Sequence, residues 1–246
     1  MQPITEKTVR EIALESPSAI RVFEALGIDY CCGGKKSLGE ACMRAILPVD
    51  EVLARLQQAA QTIPVEEAGK WTGAAVSALI DHIVGVYHAQ VRRESARLQG
   101  FFAKAVAKHS ERLPQLVRME ELFVALSQEL STHLLKEEQV LFPYVARLDQ
   151  ALRDHQKAGP AFFGSVTGPI SHMLAEHDDA GELLVQLRAA SDGYQAPPDS
   201  CPTMIGLFTG LAEFERDLHM HIHLENNILF PRAIAMEQSA LQTAAV

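Results

Sequence analysis

Two copies of one short phrase decide the fold of this chain: His133-Leu-Leu-Lys-Glu137-Glu-Gln-Val-Leu-Phe-Pro143 and His221-Ile-His-Leu-Glu225-Asn-Asn-Ile-Leu-Phe-Pro231. Each copy places a His and a Glu four residues apart. A step of four residues advances about 40° around a helix, so both side chains lie on one helix face. The repeat therefore predicts two helix faces that can meet around two metal ions.

The composition indicates an all-α protein. The 246 residues are 48% hydrophobic and 22% charged, as in ordinary globular proteins, and only 6% are aromatic. Long stretches are rich in Ala, Leu, Glu and Arg, which favour helix over strand.

The charge and hydropathy patterns exclude two classes of partner. The net charge is -9 and there is no dense Lys/Arg run, so a nucleic-acid partner is not expected. No apolar run reaches the roughly 20 residues that span a bilayer, and Met1–Arg10 lacks the apolar centre of a signal peptide. We expect no membrane partner and a cytoplasmic location.

Helix-capping and helix-ending residues predict a division of the chain into two units. Residues 1–62 are expected to form a small helical domain in which Gly27 ends one helix and Ser37 caps the next. Residues 63–71 read as a linker, and residues 72–246 as an antiparallel four-helix bundle. The expected bundle helices cover about 74–109, with a possible break near Gly100, then 114–145, 169–190 and 202–227. A loop of about twenty residues, 149–168, separates the second from the third.

The repeat offset identifies candidate ligands on the first and third bundle helices. His133 and His221 are 88 positions apart, and His88 and His177 are 89 apart. A rival pair, His82 and His172, is 90 apart, and spacing alone leaves both pairs open. In the second copy His219 and His223 compete with His221. Only His221 keeps the ten-residue distance to the proline of Leu-Phe-Pro.

With His88 and His177 chosen, the candidate metal ligands are four imidazoles and two carboxylates. This donor set suits iron or manganese, and two carboxylates can bridge two ions. An oxo or hydroxo bridge adds a further ligand and leaves about one position per ion open. A degenerate repeat that binds no metal is the alternative. The six residues are His88, His133, Glu137, His177, His221 and Glu225.

These motifs carry a family resemblance that covers nearly the whole chain. Residues from Trp71 onward resemble a hemerythrin-like HHE cation-binding domain, and the whole chain resembles the repair-of-iron-centres family, the YtfE/ScdA/DnrN group. The loop Asp29-Tyr30-Cys31-Cys32-Gly33-Gly34-Lys35 is similar to that family's small ScdA-type domain. The ligand positions of the family match His88 and His177 and do not match His82 and His172.

The resemblance implies a hemerythrin-like bundle with a carboxylate-bridged, non-haem centre of two iron ions. The implied function is repair of iron-sulfur clusters damaged by nitrosative or oxidative stress, with iron donated to the damaged proteins. One alternative is a nitric oxide reductase that forms nitrous oxide, and another is a sensor that binds O2 or NO. The resemblance does not determine the oligomeric state, and a dimer is one of the states it allows. Residues 153–166 depart from the family by about a dozen extra residues.

The adjacent Cys31 and Cys32 are expected to serve in redox exchange or in transient binding of a soft metal. A disulfide between neighbouring residues is strained and easily reduced, and the nearby Lys35 and Lys36 are expected to favour the thiolates. Two incidental thiols in a turn are the alternative. Cys42 is expected to pack in the small domain and Cys201 to start the fourth bundle helix.

The other histidines and two glutamates are expected to play lesser roles. His82 is expected in the core or beside a ligand, and Glu138 and Glu176 are candidates to orient ligands or pass protons. The remaining histidines are expected to be exposed or to support the ligands from outside: His109, His155, His172, His219 and His223.

Overall fold

The computed structural model describes residues 3–62, 68–156, 158–159 and 161–242, and no strand occurs within these ranges. The all-α prediction is confirmed. No helix in these ranges combines the length and the apolar character needed to cross a bilayer.

Four helices make up the N-terminal unit: α1 (Val9–Glu15), α2 (Ser18–Leu26), α3 (Leu38–Arg44) and α4 (Val49–Thr62). Thr8 caps α1 and Ser37 caps α3, each with the Glu three residues later completing a capping box. Gly27 ends α2 in the left-handed conformation at φ 65°, where glycine carries no steric penalty. Both predicted boundaries, at Gly27 and at Ser37, are confirmed.

Part of the expected linker is helical. The short helix α5 covers Ala68–Gly73 and places the Trp71 ring in the core at 7% exposure. Residues 63–67 lie outside the described residues. Thr72 lies within α5, so the first bundle helix begins at Val76, with Ala75 as its N-cap, rather than beside Thr72.

The bundle consists of four long helices: α6 (76–109), α7 (115–153), α8 (Thr167–Ala190) and α9 (202–242). Helix α7 packs against α6 and α8, and α6 packs against α9. Pro114 precedes α7 and the helix α6 continues through Gly100 without a break. Consecutive helices run in opposite directions, as in the predicted four-helix bundle.

Two helices continue beyond the ends predicted for them. Helix α7 extends to Arg153 instead of Val145, and α9 extends to Gln242 instead of Asn227. Each passes through a π-helical turn, Glu137–Leu141 or Glu225–Leu229, directly before its Phe-Pro step. Proline is tolerated there because it falls in the first turn of the following α-helical segment, where its missing N–H is not needed.

The hydrophobic core has two parts, separated by a buried polar layer. One part joins the N-terminal unit to the bundle end that contains Phe102, Phe123 and Phe214. The other part fills the opposite end around Phe142 and Phe230. The repeated His and Glu residues lie in the layer between the two.

The N-terminal unit is held on the bundle by polar contacts in addition to the shared core. Arg10 donates to the carbonyl of Asn227 at 3.0 Å, and His219 pairs with Glu24 at 3.0 Å. Asn226 and Asn227 each donate a side-chain N–H to a carbonyl in the 29–35 loop. The cysteine loop is therefore fixed against the second copy of the repeat.

Candidate metal centre

The structure brings all six candidate ligands together within the polar layer. Each is at most 3% exposed, although His and Glu are rarely buried so completely without partners. The six are His88, His133, Glu137, His177, His221 and Glu225.

The six side chains form two groups that share both glutamates. In one group the ligand atoms of Glu137 and Glu225 lie with those of His88 and His221, all within 4.8 Å of one another. In the other group the same glutamates lie with His133 and His177.

The carboxylate of Glu225 is oriented to bridge two ions. Its Oε1 is 2.9 Å from Nε2 of His221, and its Oε2 is 3.2 Å from Nε2 of His177. Glu137 places Oε2 3.4 Å from Nε2 of His88 and 3.3 Å from Nε2 of His133. Both carboxylates thus face both pairs of imidazoles.

Three of the ligands lie at π-helical turns. His88 ends the turn Ile83–His88, while Glu137 and Glu225 begin the turns in α7 and α9. A π turn adds a residue to the helical repeat, and such turns often occur at functional sites. In α7 and α9 the π turn therefore begins at the candidate ligand Glu and ends directly before the Phe-Pro step.

The spacing of the imidazoles fits six-coordinate metal ions. The Nε2 atoms of His88 and His221 are 3.1 Å apart, and those of His133 and His177 are 3.0 Å apart. Nitrogens at these separations subtend about 90–95° at a metal ion about 2.1 Å away, which is the angle between adjacent octahedral ligands. Two histidines with carboxylates and open positions are typical of non-haem iron. The set fits two iron ions.

Several buried polar atoms of the centre have no hydrogen-bond partner. These include both carboxylate oxygens of Glu137, Oε2 of Glu225 and Nδ1 of His221. Buried polar groups in proteins are nearly always satisfied. The unsatisfied oxygens face the space between the imidazoles, where bound cations would satisfy them.

The electrostatics of the centre place protons where cations would bind. Burial disfavours a charged His88, but Glu137 and Glu225 outweigh this effect and raise its pKa to about 10. In the same way burial opposes the charge on His133, but Glu137 leads the effects that raise its pKa to about 9. Burial also opposes ionisation of Glu225, yet His221 and its neighbours hold the pKa of that carboxyl well below its usual value. Protons on His88 and His133 therefore balance the two carboxylates.

Two glutamates orient ligands from outside the centre. Nδ1 of His88 donates to Glu138 at 2.7 Å, and Arg92 also donates to Glu138. Such partners fix the tautomer so that Nε2 is free to bind metal.

The same arrangement recurs in the other half of the bundle. Nδ1 of His133 donates to Glu176 at 2.8 Å, and Glu176 is held by Lys136. Glu138 and Glu176, the two candidates named from sequence, thus both contact a candidate ligand.

In the second copy of the repeat, an asparagine rather than a glutamate contacts a candidate ligand, and sequence reasoning missed this residue. Nδ1 of His177 donates to Oδ1 of Asn226 at 2.7 Å, and Nδ2 of Asn226 donates to the carbonyl of Cys31 at 3.1 Å. Asn226 occupies the repeat position of Glu138. An amide can accept and donate at once, whereas a carboxylate only accepts. The change from Glu to Asn between the copies was the available signal.

The cysteine pair lies directly against the helix turn that carries His177. Cys32 Sγ donates to the carbonyl of His177 at 3.5 Å, and it is 3.7 Å from Sγ of Cys31. All four cysteines of the chain are free. Cys32 thus contacts the backbone of a candidate iron ligand, and Cys31 lies beside Cys32.

The thiol of Cys31 does not have the thiolate character expected from Lys35 and Lys36. Its hydrogen bond with Cys32, its burial and the carboxylate of Asp29 raise the pKa of Cys31 well above its usual value. For Cys31 the expectation about these lysines was wrong, because this thiol is buried beside acceptor groups.

The rival histidines lie away from the centre. His82 stacks on Trp71 with ring centroids 4.4 Å apart, and His172 is exposed. His219 pairs with Glu24, while the fully buried His223 contacts Asn227 at 2.8 Å.

The two remaining cysteines lie apart from the pair. Cys42 is buried in the core of the N-terminal unit, as predicted. Cys201 precedes the fourth bundle helix, also as predicted, and contacts His109 at 3.6 Å.

Two family models match successive parts of the chain. The model of the hemerythrin HHE cation-binding domain matches residues 79–233, and that of a domain of unknown function, ScdA_N, matches residues 5–60. The chain is 37% identical to the iron-sulfur cluster repair protein YtfE of Citrobacter koseri over 94% of this chain and 98% of that protein. The YtfE proteins of Escherichia coli O81 and Escherichia fergusonii are 37% and 36% identical over the same shares. The chain therefore belongs to the family of YtfE-type iron-sulfur cluster repair proteins.

Proposed function

We propose that this protein repairs damaged iron-sulfur clusters by donating iron from a centre of two iron ions held by His88, His133, Glu137, His177, His221 and Glu225. The observation that carries the proposal is the contact between the cysteine pair and His177, because it gives the buried centre a thiol neighbour at the surface of the bundle. The names of the family members support the repair role.

The ligand set favours iron that can be given up. Each group of side chains would offer one ion two imidazoles, and both groups would share the two carboxylates, so the protein would fill fewer than six positions on each ion. Bound ferrous iron supplies exchangeable coordination positions and is itself the cargo of the repair reaction. The protein holds the cargo with imidazoles that also bind protons strongly, as the raised pKa values of His88 and His133 indicate.

The outer residues keep the ligands in place after the iron has left. Glu138 and Glu176 fix the tautomers of His88 and His133, so the site keeps its shape as the iron leaves. Protons that return to the imidazoles compensate the charge of the buried carboxylates. An empty centre is thereby stabilised and ready to be reloaded.

The proposed partners are iron-sulfur proteins whose clusters have been damaged, and NO or O2 are the proposed small ligands. The free cysteines support a reducing compartment, and we propose the cytoplasm. Cys31 and Cys32 are proposed to act in the transfer of iron to the client.

Iron transfer between purified proteins tests this proposal. The iron-loaded protein is mixed anaerobically with an apo form of a [4Fe–4S] protein, and iron is measured on both after separation. We expect stoichiometric loss of iron and recovery of the client cluster. The Cys31→Ser/Cys32→Ser variant should load normally and transfer slowly, while the control Cys201→Ser should behave as wild type. Normal transfer by the double variant would remove the cysteines from the proposal.

Reduction of nitric oxide is the second candidate function. It is favoured by two adjoining sites with open positions and by a groove of about 450 Å³ that reaches His133 and His177 between α7 and α8. A reductase forms nitrous oxide over many turnovers with a reductant while both irons stay bound. A single turnover, or loss of iron during the reaction, argues for donation instead.

A further inference from the structure

We propose that Asp29, Cys31 and Cys32 form a second metal site, separate from the bundle centre, that binds a soft divalent cation through two thiolates. The proposed cation is ferrous iron that has left the His133/His177 set, and this part of the inference rests on the proposed repair function. The ligand atoms of the three residues lie within 4.8 Å of one another.

The distance between the two sulfurs fits a shared metal ion. Sγ of Cys31 and Sγ of Cys32 are 3.7 Å apart. Sulfurs at that separation subtend about 107° at a metal ion about 2.3 Å from each, which is close to the tetrahedral angle. A disulfide needs the sulfurs at about 2.05 Å. The pair is therefore spaced for a metal between its sulfurs, in the tetrahedral geometry that thiolate-bound iron and zinc adopt.

The loop holds this spacing through Asp29. The Asp29 carboxylate accepts backbone N–H bonds from Cys31 at 3.1 Å, from Cys32 at 2.9 Å and from Gly33 at 2.7 Å. Its Oδ1 is also 3.5 Å from Sγ of Cys31, which makes this oxygen the third ligand atom. A carboxylate that fixes the backbone on both sides of the thiols preorganises the site before the metal arrives.

The chain on either side anchors the pair to the centre. Asn227 donates to the carbonyl of Tyr30 at 3.1 Å, and Asn226 donates to the carbonyl of Cys31 while it accepts from His177. Sγ of Cys32 contacts the carbonyl of the same His177. His177 thus contacts Cys32 directly and is linked to Cys31 through the side chain of Asn226.

The second site also faces outward. Both cysteines line a groove of about 840 Å³ between the N-terminal unit and α8, and Lys36 and Arg44 lie on its N-terminal side. Cys31 is 5% exposed, and Cys32 is half-buried. A metal bound by Cys32 can therefore exchange its fourth ligand with a thiolate of a partner protein in the groove.

The binding step balances without any redox reagent. Two thiols lose their protons to water, one ferrous ion forms two iron–sulfur bonds, and the metal keeps its charge and its electrons. The bonds that break are those from the same ion to His133, His177 and the shared carboxylates. Protons then return to the imidazoles, which restores the balance of charge in the bundle.

Anaerobic titration with cobalt(II) tests the second site in the full-length protein already loaded with two irons. We expect a thiolate-to-cobalt charge-transfer band and tetrahedral ligand-field bands that saturate at one equivalent, with no iron displaced. Cys32→Ser should weaken this binding about 100-fold or more, because even partners outside a metal's ligand shell contribute 10–100-fold. Asp29→Asn should weaken it about tenfold, and Cys201→Ser should leave it unchanged.

The inference is overturned if cobalt gives no thiolate band, or if the band persists in the Cys31→Ser/Cys32→Ser variant while circular dichroism shows a folded protein. The outcome is separable from the repair function. Cobalt binding at the cysteines without iron transfer to an apo client retains the second site and contradicts donation. Normal donation by a protein that binds no cobalt at the cysteines retains donation and overturns the site.

Discussion

Loading the centre with metal should release protons, because the empty centre holds them on its own ligands. The pKa of His88 is raised to about 10 and that of His133 to about 9 by the buried carboxylates. Both imidazoles are therefore protonated at pH 7, and a metal ion can bind Nε2 only after the proton leaves. We expect about two protons to be released for two metal ions bound.

The free-energy cost of the competition between protons and metal ions for these imidazoles follows from the pKa values. Each pH unit below the pKa costs about 1.4 kcal/mol for deprotonation, so at pH 7 the cost is roughly 4 kcal/mol for His88 and roughly 3 kcal/mol for His133. The combined affinity for two ions should rise about 100-fold from pH 7 to pH 8.

The stability of the metal-free protein should depend on pH in the opposite sense. A raised pKa means that the folded state binds the proton more tightly than the unfolded state. This stabilisation is complete below about pH 6.5 and is lost as pH rises through about 9 to 10. Alkaline solutions therefore favour loading and weaken the empty protein.

Calorimetric titration of the metal-free Cys31→Ser/Cys32→Ser variant with zinc or ferrous iron measures the protons released by the bundle centre alone. The heat of binding is recorded at pH 7 in two buffers with different ionisation enthalpies, and the difference gives the number of protons released. The explanation is refuted if fewer than one proton is released for two ions, or if the affinity stays constant between pH 7 and pH 8.

Three further predictions follow from single contacts. Glu225→Ala should abolish binding of both irons, because Glu225 belongs to both groups of ligands, whereas His88→Ala should leave one iron bound, because His88 belongs to one group. Metal analysis that finds two irons in Glu225→Ala contradicts a bridging role for Glu225. Asn226→Ala should weaken one iron about 10–100-fold in chelator competition, because His177 loses its orienting partner; unchanged affinity contradicts that role. Glu237→Ala should cost roughly 2 kcal/mol by leaving the Tyr144 hydroxyl and a backbone N–H unsatisfied, seen as a lower Tm with normal iron content; an unchanged Tm contradicts it.

The bundle and the repeated ligands could be predicted because they follow from local rules. Helical periodicity puts His133 and Glu137 on one face wherever the helix packs. The repeat then locates the matching face in α9. Spacing alone did not separate His88 from His82, since both lie on the first bundle helix and the choice depends on how that helix is rotated.

The contacts between the two units could not be predicted from periodicity. The bond from Asn226 to Cys31 joins residues 195 positions apart, and it exists only because the N-terminal unit packs on this side of the bundle. The helices predicted to end near Val145 and Asn227 continue beyond both, because apolar residues past the Phe-Pro steps, such as Leu148 and Ala233, pack into one shared core.

The central claim is that this protein gives up its own iron to damaged clusters. The most direct measurement follows isotopically labelled iron from the loaded protein to a purified [4Fe–4S] protein damaged by nitric oxide, under anaerobic conditions. Donation predicts that the label appears in the rebuilt cluster in proportion to the iron lost from the centre. A cluster rebuilt without the label, or nitrous oxide formed over many turnovers while the label stays in the centre, would contradict it.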